Sequence, residues 1–147
     1  GNERRYIKNC LDQGWVSSAG EYVDIFEKKI AKYTGAKYAI TAINGTSALQ
    51  ISLKRGGVIK GDEVIVPETT WVSTAMCVCY VGAKPVFVDI DPVDFNIDPD
   101  LIEEKITPKT KAIMPVHLYG QMAKMDKIIK IAKKCIVIIL AKMFLGI

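Results

Sequence analysis

The sequence predicts an α/β protein built as a three-layer sandwich, a mainly parallel sheet with helices on both faces. Short apolar strands alternate with helical segments through brief connections from about residue 37 onward. Several of those strands are apolar throughout rather than alternating, the pattern of strands buried on both sides. The third observation is bulk. A chain of 147 residues, half of them hydrophobic and 24% charged, has the length and composition of one soluble globular domain.

The elements follow in order. Asn2 to Gln13 reads as a helix with Tyr6, Ile7, Cys10 and Leu11 on one face, and Gly14 to Gly20 as a loop. Glu21 to Tyr33 is a second helix, striped by Val23, Phe26, Ile30 and Ala31 and stopped at Gly35. Lys37 to Ile43 reads as a strand, Thr46 to Lys54 as a helix, and Glu63 to Val66 as a strand ending at Pro67. Trp71 to Val81 is an apolar helix and Lys84 to Ile90 a strand. Pro99 to Ile106 is a helix that Asp98 can cap. Lys111 to His117 is a strand, Met125 to Lys134 a helix, and Ile136 to Leu140 a strand.

Composition excludes several classes. The net charge of +4 comes from 20 basic and 16 acidic side chains that are scattered along the chain. The densest basic group, Lys124 to Lys134, alternates with Ile and Ala as a solvated helix face does, so no nucleic-acid partner is expected. Cys10, Cys77, Cys79 and Cys135 lack paired metal-ligand spacing and there is one histidine, so no metal site is expected. Cys77 and Cys79 fall in an apolar run suited to buried free thiols, and reduced cysteines fit a cytoplasmic setting. A polar start gives no signal peptide, and no apolar run reaches the length of a membrane span. The chain begins without methionine and closes on the apolar run 136–147, so both ends read as cut points.

Open α/β sheets bind ligands at the carboxyl ends of strands, beside helix N-termini. Three junctions qualify. Asn44-Gly45-Thr46-Ser47 opens a helix, where free amides and the helix dipole favour a phosphate and Gly45 allows close approach. The same residues also suit a plain N-cap with a turn glycine. Pro67-Glu68-Thr69-Thr70-Trp71 puts an aromatic ring where it can stack on a planar ligand, or simply fill the core. In Pro115-Val116-His117-Leu118-Tyr119-Gly120-Gln121, the lone His117 either contacts a substrate or satisfies a backbone carbonyl.

Taken together, five stretches resemble the DegT/DnrJ/EryC1/StrS aminotransferases. They are GNERRYIKNCLDQGWVSSAGEYVDIFEKKIAKYTGAKYAI, NGTSAL, GDEVIVPETTWVSTA, YVGAKPVFVDID, and the run from ITPKTKAIMPVHLYGQ to MDKIIKIAKK. The likeness runs from about Gly1 to Lys134, and the opening stretch is similar to the branch that makes 4-amino sugars on nucleotide carriers, such as bacillosamine or legionaminic acid precursors. The resemblance implies the large domain of the fold-type I transferases that use pyridoxal 5'-phosphate (PLP). Residues 1–36 would be an N-terminal helical segment and residues 37–147 part of the PLP-binding domain. Gly45, Thr46 and Ser47 would hold the cofactor phosphate, and Trp71 would stack on its ring. Ser17, Ser18 and His117 would lie on the substrate side. The implied reaction passes nitrogen from a donor such as glutamate to a nucleotide-linked keto sugar, in a homodimer.

The likeness stops short of two groups. The family places an acidic segment after the strand Ile136 to Ile139, where Leu140-Ala141-Lys142-Met143-Phe144 stands here, and its Schiff-base lysine would fall beyond residue 147. Lys142 does not match that lysine's motif. The alternative expectation is therefore an inactive fragment that binds at most a phosphate or a partner subunit. Such a fragment would leave Lys37 to Ile43 without strand neighbours and would be marginal and aggregation-prone. A dinucleotide-binding oxidoreductase shares the α/β alternation, but no G-x-G-x-x-G opens a helix.

Overall fold

The computed structural model describes residues 1–17 and 19–144. Its contacts divide into two compact units, Gly1–Ala42 and Ile43–Ile147.

The first unit holds two helices, α1 (Glu3–Asp12) and α2 (Glu21–Thr34), which ends at Gly35 in the left-handed conformation. Neither helix contains a buried residue. The two helices touch through the rings of Tyr6 and Tyr22, 5.0 Å apart, and the Tyr22 hydroxyl donates to Asn9 Oδ1 at 3.2 Å. Past α2, residues 37–43 are not the expected strand. A strand needs a neighbour to take its backbone groups, and this stretch forms no ladder among the described residues. Instead, the Thr41 amide and hydroxyl both donate to Glu27 Oε1, at 2.7 and 2.9 Å. Those bonds hold the Glu27 carboxyl below its ordinary pKa and tie the segment to α2.

The second unit carries the sandwich. It runs α3 (Gly45–Arg55), β1 (Glu63–Pro67), α4 (Ser73–Tyr80), β2 (Lys84–Val88), α5 (Pro99–Lys105), β3 (Thr110–Ile113), β4 (Val116–Leu118), α6 (Met125–Cys135), β5 (Ile138–Ile139) and β6 (Lys142–Phe144). Four strands form one parallel sheet in the order β2-β1-β3-β5. Strand side chains alternate between faces, and here both faces are covered. Val64, Val66, Ala112 and Met114 pack with Leu49 and Leu53 of α3 and Cys77 and Val78 of α4. Ile65 and Ile113 pack on the other side with Ile102 of α5 and Ile128 and Ala132 of α6. Crossovers between parallel strands share one hand. Moving out from β1 to β2 therefore puts α4 on one face, and returning past β1 to β3 puts α5 on the other.

Two boundaries moved for local reasons. The strand expected over Lys111 to His117 is two strands, because Pro115 has no N–H to give a ladder. Beyond that break the same chain stretches pair again, β4 with β6 in parallel. The last sheet strand shortens because Ile136 caps α6 at φ 55°, ψ 45°. Cys77 is buried and its Sγ donates to the Thr74 carbonyl, whereas Cys79, two residues on and across the helix, is exposed. Asp98 caps α5 as expected, its side chain accepting from the Asp100 amide at 2.9 Å.

Ile40 and Ile43 are 87% and 92% exposed in the unpaired stretch after α2. Replacing both with lysine removes apolar surface and adds charge without touching a packed contact. The double variant should raise the concentration at which the chain precipitates, with the thermal midpoint unchanged within about 2 °C. Light scattering and a thermal melt check both.

Candidate active site

The direction of the chain over the sheet reverses at β1, between its neighbours β2 and β3. In an open parallel sheet such a switch point leaves a crevice at the carboxyl ends of the strands. A cleft of about 570 Å³ lies there, lined by Thr69, Thr70, Trp71, Phe95, Leu118 and Tyr119. The first three follow β1, Phe95 follows β2, and Leu118 and Tyr119 end β4. Its size is that of a small-molecule site. Among the described residues, no lysine and no carboxylate lines it.

Trp71 is 59% exposed and precedes α4 instead of opening it. Its ring is therefore part of the cleft wall and not of the core. Phe95 and Tyr119 have φ values of 57° and 50°. That left-handed region is unfavourable for bulky residues and persists only where surrounding structure imposes it. Both rings are exposed in the cleft.

The Gly45 turn reaches the same edge of the sheet by a different route. The C-terminal end of α3 lies at the amino edge: a Cβ on Gly56 would sit 3.6 Å from Ile138, the first residue of β5, and one on Gly57 3.9 Å from the Lys111 side chain. Eleven helical residues span about 16 Å, the length of a five-residue strand. Running antiparallel to β1, α3 thus carries Gly45 to the carboxyl edge. There, Asn44 caps the helix by accepting from the Ser47 amide at 2.8 Å. The Ala48 amide donates to the Asn44 carbonyl. The amides of Gly45 and Thr46 have no acceptor among the described residues, and a Cβ on Gly45 would meet nothing within 4 Å. The turn therefore presents two unpaired donors, a positive dipole end, the Thr46 and Ser47 hydroxyls and open space, the chemistry of a phosphate cradle.

His117 takes a backbone partner, one of the two kinds of role its position allowed. It is 9% exposed, and its Nδ1 accepts from the Ala123 amide at 3.3 Å. The imidazole holds the β4–α6 connection together and does not line the cleft; its neighbours Leu118 and Tyr119 do. Ser17 lies in the first unit's loop, its hydroxyl within 3.5 Å of the Ala19 carbonyl and amide. Ser18 lies outside the described residues. Phe95 was missed from sequence, although the dense turn formers around it (Asp91, Pro92, Asp94 and Asn96) mark a built loop.

That loop is pinned by charge. Lys124 at the start of α6 pairs with Asp91. The lysine holds the Asp91 carboxyl below its ordinary pKa, and the carboxylate pushes Lys124 up. Among the described residues no cluster of His, Cys, Asp and Glu could hold a metal ion, and no helix is long and apolar enough to cross a membrane.

A parallel α/β sandwich with an open helix N-terminus and an aromatic cleft on one edge places the chain in the doubly covered α/β class. Residues 1–141 match the DegT/DnrJ/EryC1/StrS aminotransferase family, and the chain belongs to it. It is 52% identical over 134 residues to the GDP-perosamine synthase of Caulobacter vibrioides, covering 91% of this chain and 36% of that protein. It is 50% identical over 140 residues to the UDP-2-acetamido-2-deoxy-3-oxo-D-glucuronate aminotransferase of Pseudomonas aeruginosa, covering 90% of this chain and 39% of that protein. The crystal structure of NtdA from Bacillus subtilis with bound cofactor PMP superposes with a TM-score of 0.89 at 40% identity, over 92% of this chain and 31% of that one. The chain thus spans little more than a third of the length of the curated relatives it matches.

The folded-state pKa of Asp91 is lowered, so the ion pair's contribution is present above the unfolded carboxyl value and is lost as pH falls through the folded one. Lys124→Met should therefore melt below the wild type at pH 7, and the two melting curves should converge as pH drops from about 5 to 2. A gap that stays constant with pH would remove the ion pair as its cause.

Proposed function

We propose that this chain supplies the cofactor-holding part of a PLP-dependent aminotransferase acting on a nucleotide-linked keto sugar, in the making of a cell-surface polysaccharide or glycan precursor. One observation carries the reading: the Trp71 cleft and the unpaired amides of Gly45 and Thr46 share the carboxyl edge of one parallel sheet. Phosphate cradle and ring platform are the two things PLP asks of a protein before any chemistry. Family membership and the nucleotide-sugar relatives support the substrate class.

When bound, PLP supplies an electron sink that lets nitrogen pass between an amino donor, such as glutamate, and the keto sugar. The chain's own residues would bind and orient. The Gly45 and Thr46 amides and the α3 dipole take the phosphate, and the Thr46 and Ser47 hydroxyls complete its shell. Trp71 stacks on the ring, worth about 0.5–1.5 kcal/mol beyond simple burial. Thr69, Thr70 and Leu118 close the wall against water. Ser17 and Ser18 are assigned to the substrate side, and His117 acts on it through the strand it steadies. Assembly as a homodimer in the cytoplasm belongs to the same proposal.

The chain has two tryptophans, so Trp15→Phe leaves Trp71 as the sole reporter. Titrating PLP into that variant should quench its emission. Trp71→Ala should weaken binding by about two- to twelvefold, followed by PLP absorbance. Pyridoxal without phosphate should bind at least about tenfold more weakly. Emission that ignores PLP up to about 1 mM would sink the reading.

A second reading, a chain that holds the cofactor without carrying out transamination by itself, is favoured by the cleft's lack of lysine and carboxylate. Borohydride reduction after PLP addition separates the two. A lysine adduct by mass supports the complete enzyme, and PLP binding without an adduct supports the second.

A further inference from the structure

Asn96, so far only a turn former beside Phe95, is one of the most completely buried polar residues among the described residues, at 2% exposure. It sits in the loop between β2 and α5, beside Phe95. Its side chain is fully engaged with a distant segment. Oδ1 accepts from the Leu118 amide at 3.1 Å, and Nδ2 donates to the Gln121 carbonyl at 3.3 Å and to the Asp94 carbonyl at 3.4 Å. Leu118 and Gln121 bracket Tyr119. One carboxamide therefore bridges the two loops whose aromatic residues are held left-handed in the cleft. The loops also close on themselves: the Phe95 amide donates to the Asp91 carbonyl, the Asp91 amide to the Asn96 carbonyl, and the Gln121 amide to the Leu118 carbonyl.

Left-handed backbone in a bulky residue relaxes unless its surroundings hold it. Here the holding group bonds the backbone at Asp94, just before Phe95, and at Leu118 and Gln121, which bracket Tyr119. A buried amide that used only its own loop would need no partner 22 or 25 positions away. The arrangement ties the Phe95 loop to the Tyr119 loop, two of the segments that line the cleft together with Trp71.

We propose that Asn96 is a positioning residue that locks Phe95 and Tyr119 as the two aromatic walls of a subsite for a planar ring. The inference deepens the cofactor reading and rests on it for the identity of the ring. It concerns the ring end of the cleft only, because the phosphate cradle belongs to α3 and shares none of these bonds.

Asn96→Asp preserves size and the acceptor to Leu118 but sets a carboxylate oxygen against two carbonyls. In the Trp15→Phe background, the dissociation constant for PLP should rise about tenfold or more, while that for inorganic phosphate, read by competition, stays within about twofold. A purely structural role would weaken both alike, and that result overturns the proposal. Amide exchange of the ligand-free protein supplies an independent arm: protection at Phe95, Leu118 and Gln121 should fall together by about tenfold, with Ile65 unchanged. Loss confined to residues 94–97 would show that the two loops are not coupled and would overturn it too. If Asn96→Asp does not fold, Tyr119→Gly decides, since glycine accepts the left-handed backbone without a wall. It should bind PLP several-fold more weakly, with phosphate binding unchanged. Wild-type affinity for PLP in that variant counts against the proposal. A wild type blind to PLP would instead refute the cofactor reading, with the exchange arm still judging Asn96.

Discussion

Burial of β1 on both faces is the constraint from which the rest follows. Val64, Ile65 and Val66 are consecutive and fully buried, so helices must cover the strand on both sides. Two neighbouring strands must also satisfy its backbone, and β2 and β3 do so in parallel. A parallel neighbour can be reached only by a crossover, and the shared hand of crossovers then sends α4 to one face and α5 to the other. The opening left at the carboxyl end of β1 is a by-product of that reversal. Thr69 to Trp71 line it because they are the residues that must follow the strand.

Rigid floor and strained walls divide the work of the site. The sheet and its two clusters position the start of α4 and the N-terminus of α3 by packing alone. The far walls are loops, which carry no such packing, and they are held instead by a buried amide at Asn96 and by the Asp91–Lys124 pair. Polar fastening of loops over an apolar base is the usual way a fold keeps a binding surface open without letting it collapse into the core. Left-handed aromatic residues at 95 and 119 are where that opposition shows in the backbone.

The first unit behaves differently. Its two helices present apolar stripes that its own contacts leave unburied, and residues 37–43 are secured by one carboxylate instead of by a sheet. Exposed Phe26 and Ile40 are what remains when an amphipathic pattern finds no cover within its own unit. The relatives that share this segment are nearly three times as long in the aligned sense, and coverage of 36% of the Caulobacter enzyme places the match in a portion of that protein.

Much of the architecture was legible from residue order. Apolar runs such as EVIVP, the Asp98-Pro99 helix start and the Gly35 stop each act through neighbours a few positions away, and each element appears where local chemistry puts it. The helix start at Gly45 and the turn after β1 that carries Trp71 were likewise visible, although the strand expected before Gly45 did not form. Contacts between distant segments were not. Whether Lys37 to Ile43 becomes a strand depends on a partner, not on its own propensity. Whether His117 meets a ligand or the Ala123 amide depends on how β4 is seated, and Asn96 has meaning only once Leu118 and Gln121 arrive beside it. By itself the sequence determined the helices, most strands, the parallel class and the capped helix start at Gly45, because periodicity, capping and glycine act within a few residues. Only the tertiary structure decided which side chains wall the cleft and which merely hold it, because hydrogen bonds and packing between segments twenty or more residues apart leave no periodic trace along the chain.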